Sequence, residues 1–269
     1  MKRETATQTR DAPTARASLR IEGVIAEIAL ENGPLNLVTR DLLRSLNEAV
    51  TAVASASELR CLILHAGTAR AFCAGSDINE FSALRENASE RKILFEDRVL
   101  RRLARLPLPT IAAIDGAALG GGLELALACD LRVCRDGVAL GFPESRLGGL
   151  AGSGAVRLTR LIGPARTKAL LFTGETFDAE QALAWGIVNR VVKQGTALDA
   201  ARALAATIAE RAPLSNRLAK RLVDAAQDVA LDAALSLASG AQQEIFDSAD
   251  LHEGAAAFFA KRPPRFAGR

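Results

Sequence analysis

Apolar residues recur along the chain with two different periods, and each period predicts a different kind of element. Within Thr39–Ala56 the apolar positions lie on one helical face, at Leu42, Leu43, Leu46, Val50 and Val53. This spacing predicts an amphipathic helix with Thr39 as its N-cap. Cys61–His65 and Thr110–Ile114 are short and apolar without interruption. Such runs are typical of strands that are buried on both faces.

Strands and helices alternate through the first two thirds of the chain. A helix is also predicted at Leu123–Cys129, directly after a glycine cluster, and a charged helical region at 87–105. Shorter strands are predicted at Leu19–Ile21, Val24–Leu30, Leu131–Val133, Val138–Leu140 and Ile187–Val192. Alternation of this kind predicts an α/β fold with much parallel pairing.

The last third of the chain has a different pattern. From about Ser153 nearly everything reads as helix, with Ala-rich helices at 197–211, 214–228, 231–247 and 250–260. We therefore expect a disordered tail at 1–17, an α/β core with the site at 18–195 and a helical C-terminal lobe at 196–269. The apolar faces of that lobe are more numerous than it can bury alone, which predicts an interface between copies of the chain.

The composition indicates the class of protein but does not identify its function. The chain has 269 residues, of which 49% are hydrophobic and 24% charged, as in ordinary soluble domains. A net charge of +3 neither demands nor excludes a polyanionic partner. No apolar run reaches the ~18 residues of a membrane span, and the polar N-terminus lacks a secretion signal. A cytoplasmic location is expected, with an organelle transit peptide as the weaker alternative.

The four cysteines lie in apolar or glycine-rich stretches, and no two of them form a C-x-x-C pair. Only two histidines are present to complete a metal site. Buried, reduced thiols are therefore expected rather than a zinc site, and no metal is predicted.

Glycines cluster where a strand turns into a helix. The run I-A-A-I-D-G-A-A-L-G-G-G-L-E spans residues 111–124. Adjacent glycines are favoured where something must approach the backbone, and a helix N-terminus offers free N–H groups to an anion. A tight turn that lets helix pack on strand is the alternative. A dinucleotide fingerprint is disfavoured, because the spacing does not match G-x-G-x-x-G.

Two glutamates accompany the glycines. Glu124 lies in the first turn of an otherwise apolar helix, and Glu144 follows an apolar strand just before a second glycine-rich run at 148–154. Each alone is more simply explained as a helix-terminal or surface charge. Together beside the glycine loops they suit the addition of water across a C=C bond, in which protons are taken and given at neighbouring atoms.

These motifs resemble a known family. The run 110–158 is similar to the signature of the crotonase superfamily, and A-F-C-A-G-S-D-I-N-E-F at 71–81 resembles that family's first oxyanion loop. The resemblance covers roughly 18–269 and is strongest to enoyl-CoA hydratases. It implies a spiral of β-β-α units with a helical C-terminal lobe, assembly as a trimer or a dimer of trimers, and an acyl-CoA substrate with no separate cofactor.

The resemblance also implies roles for individual residues. Glu124 and Glu144 match the acid–base pair, the backbone N–H groups of Ser76 and Gly121 match the oxyanion hole, and Gly152 matches a glycine that positions water. Contacts to coenzyme A are implied for Arg70, Ala74 and Lys261. The isomerase branch commonly works with only the second carboxylate, so the presence of both favours hydration of a 2-enoyl-CoA to a 3-hydroxyacyl-CoA.

Several alternatives stay open at this point. Asn79, Phe142 and Ala151 depart from common family residues around the acyl pocket, so acyl chain identity is not predicted. A double-bond isomerase, thioester hydrolase or decarboxylase would share the same scaffold. An RNA-binding protein is the alternative from another class, through the arginines of one helical stretch, Arg98, Arg101, Arg102 and Arg105. The acidic residues beside those arginines favour a solvated helix face instead.

Overall fold

A mixed sheet of six strands forms the centre of the molecule. The computed structural model describes residues 15–84 and 87–269. The strands in chain order are β1 Arg16–Glu22, β2 Ile25–Glu31, β3 Cys61–His65, β4 Thr110–Ile114, β5 Ala118–Leu119, β6 Leu131–Arg135, β7 Leu140–Gly141, β8 Thr176–Phe177 and β9 Arg190–Val192. The central sheet has the order β1-β2-β3-β4-β6-β9. All of its pairs are parallel except β1 with β2, which confirms the predicted parallel α/β class.

A second, smaller sheet begins with β5, which lies within the first glycine run. It has the order β5-β7-β8, with β5 and β7 parallel and β7 and β8 antiparallel. The strand β8 was not predicted, because two residues are too few for a periodic signal. At the other end of the chain β1 begins at Arg16, inside the segment expected to be a tail. The remainder of that expected tail, residues 1–14, lies outside the described residues.

Ten helices surround the sheets in the described part of the chain. They are α1 Arg40–Ser55, α2 Ile78–Leu84, α3 Leu94–Ala104, α4 Gly121–Leu127, α5 Gly152–Thr173, α6 Ala179–Ala184, α7 Ala197–Ala209, α8 Pro213–Ala226, α9 Leu231–Phe246 and α10 Ala249–Phe259. A π-helical turn, Ser89–Ile93, leads into α3, and a 3-10 turn, Pro143–Leu147, follows β7. Helix α2 was not predicted, and its first four residues lie in the run 71–81 that resembles an oxyanion loop.

Helix α1 agrees with its sequence prediction in detail. The Thr39 hydroxyl accepts a hydrogen bond from the Leu42 backbone N–H at 3.2 Å, so Thr39 is the N-cap, and the five predicted apolar positions are buried. The apolar face therefore packs toward the core.

The opposite face of the sheet is covered by α7. Small side chains on that helix, Ala197, Ala201 and Ala205, pack against Ile63 and Ile111 of the sheet. The Asp115 carboxylate at the end of β4 accepts hydrogen bonds from the first two backbone N–H groups of α7, at 2.6 and 3.1 Å. The apolar face of α7, predicted to serve an interface between copies, is therefore used by the sheet. The division of the chain at 195/196 stays a prediction.

All four cysteines are buried and free, which confirms the prediction of buried thiols. Burial raises the pKa of each thiol to about 12, so the thiols stay protonated near neutral pH. Within the described ranges no three His, Cys, Asp or Glu side chains are grouped so as to hold a metal ion. No helix in those ranges is both long and apolar enough to cross a membrane.

Arg132 of β6 fixes the C-terminal end of α4. Its side chain is buried, and its guanidinium donates to the carbonyl oxygens of Ala126 and Cys129 at 3.2 and 2.6 Å. The same group donates to the carbonyl oxygens of Ile187 and Asp130 at 2.6 and 3.1 Å. A buried cation with four carbonyl acceptors is well satisfied. It therefore ties α4 to the sheet, and α4 in turn carries Gly121 and Glu124.

We expect Arg132→Met to reduce the free energy of unfolding by about 3 kcal/mol or more, because it removes a buried guanidinium that donates to four carbonyl oxygens. Arg135→Met is the matched control, since Arg135 is exposed at the end of the same strand, and its effect should stay within about 0.5 kcal/mol. Urea unfolding followed by circular dichroism measures both. Equal stabilities for the two variants would contradict this account of α4.

Candidate active site

The first glycine run brings two backbones unusually close together. The Cys73 backbone N–H donates to the Ala117 carbonyl at 3.2 Å, and the Leu119 N–H donates to the Cys73 carbonyl at 3.0 Å. A Cβ placed on Gly122 would lie 2.0 Å from that Cys73 carbonyl oxygen, and one on Gly116 would lie 2.2 Å from the Arg70 carbonyl oxygen. Neither position has room for a side chain. These two glycines are therefore required for packing, as the tight-turn alternative predicted.

A buried amide fastens the loop that packs against those glycines. Asn36 is fully buried, and its side-chain N–H₂ group donates to the Ala66 and Phe72 carbonyl oxygens, both at 3.2 Å. Its Oδ1 accepts from the Asn32 backbone N–H at 2.8 Å. The sequence did not single out Asn36, because its role depends on loops that are 30 and 36 residues away.

The two residues predicted to form the oxyanion hole are neighbours at the end of this loop. Val38 donates to the Gly75 carbonyl at 2.9 Å and accepts from the Asp77 N–H at 3.2 Å. This parallel bridge directs the N–H of the intervening Ser76 away from Val38. Gly121 begins α4, so its N–H has no partner inside the helix. A Cβ on Gly121 would lie 3.1 Å from the Ser76 Oγ, so the two predicted oxyanion-hole positions are adjacent.

Glu124 lies one helical turn after Gly121 and points into the interior. Its side chain is 8% exposed, and its Oε1 accepts a hydrogen bond from the Gly154 backbone N–H at 2.6 Å. Burial raises the pKa of Glu124, and the Gly154 bond and the Arg157 charge oppose that rise. A Cβ on Gly154 would lie 2.4 Å from the Phe142 ring. The second glycine run therefore lets its backbone reach Glu124.

Glu144 lies in the 3-10 turn after β7. It is on the other side of the first glycine run from Glu124. Its Oε1 lies 2.6 Å from the position a Cβ would take on Gly120. Its Oε2 is buried without a hydrogen-bond partner among the described residues. Burial raises the pKa of Glu144, and the neighbouring charge of Glu124 raises it further. The structure thus brings together the two carboxyl groups that the sequence analysis paired.

A third carboxyl group, Glu96, belongs to this cluster and was missed. It is 6% exposed, and its Oε1 lies 3.3 Å from the position of a Cβ on Gly121. Desolvation raises the pKa of Glu96 to about 7, and the charge of Glu124 adds to the rise. Its spacing to the buried Val99, Leu100 and Leu103 of α3 places it on the apolar helix face. That spacing was the available signal, and the surrounding arginines obscured it.

The other predicted site residues are Gly152, Arg70, Ala74 and Lys261. Their positions relative to the two glutamates are less closely defined. Gly152 opens α5, and a Cβ there would meet nothing within 4 Å, so its backbone borders open space beside the Glu124 contact. Arg70 is exposed and Ala74 half-buried on the first loop. Lys261 follows α10 with a left-handed φ of 52°. No contact in the described part of this single chain joins Lys261 to the two glutamates.

The departures from the family pattern fall on both sides of the site. Phe142 and Ala151 are buried, and the Phe142 ring lies against Gly154. Asn79 is exposed, on α2. Phe142 and Ala151 therefore lie in the interior of the protein, whereas Asn79 lies at its surface.

Comparison with known proteins identifies relatives over almost the whole chain. The family model described as enoyl-CoA hydratase/isomerase matches residues 20–269. The chain is 35% identical over 255 residues to a probable enoyl-CoA hydratase of Bacillus subtilis (strain 168), covering 93% of this chain and 98% of the relative. It is 36% identical over 238 residues to the mitochondrial methylglutaconyl-CoA hydratase of Rattus norvegicus, covering 87% of this chain and 76% of the relative.

A solved structure agrees with these sequence matches. The crystal structure of the enoyl-CoA hydratase from Bacillus anthracis superposes with a TM-score of 0.90 at 33% identity, covering 94% of this chain and all of that chain. The predicted crotonase-like α/β fold is therefore confirmed.

Gly121 and Gly122 allow a direct test of the close approach between α4 and the Cys73 backbone. We expect Gly122→Ala to destabilise the protein by about 1–3 kcal/mol or more, because its Cβ would collide with the Cys73 backbone. Gly121→Ala is the matched control. Its Cβ would meet the side-chain ends of Ser76 and Glu96, at 3.1 and 3.3 Å, which can move aside, and Val38 Cγ2 at an ordinary contact distance of 3.5 Å. Thermal unfolding compares the two, and a Gly122→Ala protein as stable as the Gly121→Ala protein would contradict the prediction.

The raised pKa of Glu96 predicts a pH-dependent effect of its removal. A folded-state pKa of about 7 against an ordinary 4.5 means that the folded protein binds this proton more tightly than the unfolded chain. Stability is therefore lost as the pH rises from about 4.5 to about 7. Since one pKa unit corresponds to about 1.4 kcal/mol, the loss is at most about 3 to 4 kcal/mol.

Glu96→Gln cannot ionise and should avoid this loss. We expect its Tm to equal that of the wild type near pH 4.5 and to exceed it increasingly up to about pH 7.5. Lys92, Glu80 and Glu124, which act on Glu96, are present in both proteins, so the difference isolates Glu96. Scanning calorimetry from pH 4.5 to 8 measures it, and a pH-independent Tm difference would show that Glu96 titrates normally.

Proposed function

Because the chain belongs to the enoyl-CoA hydratase/isomerase family, we propose that it hydrates a 2-enoyl-CoA thioester to the 3-hydroxyacyl-CoA. Members of this family act on acyl-CoA substrates, and the hydratase reaction is the specific part of the proposal. One observation carries it. Two carboxyl groups of raised pKa, Glu124 and Glu144, lie on either side of the glycine turn that presents the Gly121 amide.

The backbone amides of Ser76 and Gly121 serve as the oxyanion hole in this proposal. When water adds to the β-carbon, the electron pair of the C=C bond moves toward the thioester and negative charge develops on its oxygen. The two N–H donors, one on the first loop and one at the N-terminus of α4, stabilise that charge more than they stabilise the neutral carbonyl. Loss of one such donor typically costs about 10²–10³ in rate.

The two glutamates move the protons of the reaction. One carboxylate takes a proton from water as the new C–O bond forms at the β-carbon. The other, in its acid form, gives a proton to the α-carbon as the enolate collapses to the thioester. Water is thereby added with no net change in the protonation of the pair. Raised pKa values suit this task, because they favour the acid form that gives the proton and make the carboxylate that takes one a stronger base.

Gly152 and the coenzyme A contacts complete the proposed site. The Gly152 N–H borders open space near Glu124, where it can donate to the attacking water. Arg70, exposed on the first loop, lies where a charged coenzyme A moiety meets the surface, and Ala74 lies on the same loop. The reaction proposed here uses only protein groups and the substrate, so no further cofactor is required.

Assembly as a trimer or a dimer of trimers is part of the same proposal. Large apolar side chains of α9 and α10 are exposed in the single chain, including Leu231, Leu235, Phe246, Phe258 and Phe259. Patches of that kind usually mark an interface. Lys261, which follows α10, would then reach the coenzyme A of a neighbouring copy. A cytoplasmic location also stays a prediction, and one of the relatives is named mitochondrial.

The arginine-rich face of α3 lends little support to RNA binding. Arg101 pairs with Asp97 at 2.8 Å, and Arg102 donates to the side chains of Asn47 and Thr51. Two of the four arginines are thus engaged in local contacts. The isomerase alternative is separated from hydration by the role of Glu124.

We expect Glu124→Gln and Glu144→Gln each to lower kcat for hydration by at least about 10², the lower end for general acid–base catalysis. Loss of enoyl absorbance with a panel of 2-enoyl-CoA thioesters measures this. Glu48→Gln is the control, because Glu48 is exposed on α1 and the substitution removes the same charge. Full hydratase activity in Glu124→Gln would reject the proposed mechanism. Double-bond migration in place of hydration, retained in Glu124→Gln, would favour the isomerase, which commonly uses the second carboxylate alone.

A further inference from the structure

The carboxyl group of Glu96 has no structural partner that explains its burial. Its Oε2 is buried without a hydrogen-bond partner among the described residues. Glu96 as a whole is only 6% exposed. Buried polar groups are usually hydrogen-bonded, and an orphaned carboxyl oxygen destabilises the fold. A group of this kind beside a candidate active site is typical of a position that completes its bonding with a ligand.

The nearest cation on the same stretch of chain is committed elsewhere. Lys92, one helical turn before Glu96, is fully buried. Its ammonium group pairs with Glu80 at 3.0 Å and donates to the Val38 carbonyl at 2.8 Å. Its charge still lowers the pKa of Glu96 somewhat, but no hydrogen bond joins the two groups in the described part of the chain. Glu96 is therefore not one half of a buried ion pair.

The position of Glu96 relative to the oxyanion hole indicates which part of a substrate it meets. Its Oε1 lies 3.3 Å from the Cβ position of Gly121. A Cβ lies roughly 2.5 Å from its own backbone nitrogen, so Oε1 is within about 6 Å of the Gly121 amide. The exposed Arg70 marks the surface side of the site, whereas Glu96 is interior. The acyl group, not the coenzyme A moiety, is therefore the part that enters the region of Glu96.

We propose that Glu96 is a specificity-determining residue, which selects 2-enoyl-CoA substrates whose acyl group carries a hydroxyl group near its end. The inference rests on the proposed function and deepens it, since it names the substrate class of the same site. Hydration needs two carboxyl groups, and Glu124 and Glu144 supply them. The third is therefore free for recognition.

The chemistry of the carboxyl group decides between acyl classes. With its pKa raised to about 7, Glu96 is present both as the acid and as the carboxylate near neutral pH. A hydroxyl group accepts from the acid and donates to the carboxylate, so it satisfies both forms. An alkyl end satisfies neither, and a carboxylate end is repelled by ionised Glu96. Sites built to bond a substrate hydroxyl reject analogues that lack it.

The test uses three 2-enoyl-CoA thioesters of equal chain length that end in methyl, hydroxymethyl and carboxylate groups. We expect the wild type to show a kcat/KM for the hydroxyl substrate at least about tenfold above those for the other two. Glu96→Leu should lower the hydroxyl-to-methyl ratio to one or below by raising turnover of the methyl substrate. Glu96→Gln should keep the hydroxyl preference and improve the carboxylate substrate, because it donates and accepts without charge.

Asp97→Asn is the matched control, since it removes a carboxylate from the adjacent residue, which pairs with Arg101 instead, and it should leave the ratios unchanged. A wild-type hydroxyl-to-methyl ratio of one or below would overturn the proposal. A uniform fall of all three activities in both Glu96 variants would do the same, because it would indicate a role in folding or in the shared chemistry. If Glu96→Leu does not fold, the wild-type ratios and Glu96→Gln decide.

Calorimetric binding of the three saturated acyl-CoA analogues separates this inference from the proposed function. Preferential binding of the hydroxyl analogue, lost in Glu96→Leu, would support the role of Glu96 even if no enoyl-CoA is hydrated. Hydration of all three substrates without preference would leave the proposed function standing and reject the role of Glu96.

Discussion

The close approach of the Cys73 backbone to the start of α4 is the constraint on which the site depends. Because Gly122 and Gly116 carry no side chains, the first loop and the strand-to-helix turn share hydrogen bonds instead of standing apart. That contact sets Ser76 beside Gly121 and aims the α4 N-terminus at the space between them. Arg132 holds the other end of the same helix, and Asn36 holds the loop. Two backbone elements that are distant in sequence are thereby fixed as one unit, which is what preorganised donors require.

The second feature of the site is the concentration of carboxyl groups in a region with little water. Glu96, Glu124 and Glu144 are each desolvated, and Glu124 raises the pKa of both others by its charge. Ionising all three together is unfavourable, so the cluster keeps its protons to a higher pH than isolated glutamates do. This arrangement reduces stability, and such a cost is characteristic of sites that are kept for chemistry or recognition rather than for folding.

Local sequence patterns predicted the elements whose signal lies within one stretch of chain. The helix after Thr39, the strands at Cys61 and Thr110 and the four C-terminal helices followed from periodicity, caps and propensity, and all are confirmed with boundaries shifted by a few residues. The α2 helix and the two-residue strands β5 and β8 were missed because they are too short to show a period. Helix α7 was assigned to an interface because a single apolar face does not reveal which surface covers it.

For the site, the sequence by itself determined the candidate residues: glycines at a strand-to-helix turn and two glutamates near them, in an order that resembles a known family. Only the tertiary structure decided which glycines are packing requirements, since the Gly122 restriction comes from a carbonyl 49 positions earlier in the chain. It also decided that Glu96 belongs to the site and that Lys261 is not joined to it within one chain. The physical reason is the same in each case. Burial, clearance and charge coupling depend on distances between segments that are remote in sequence, and a local pattern carries no information about those distances.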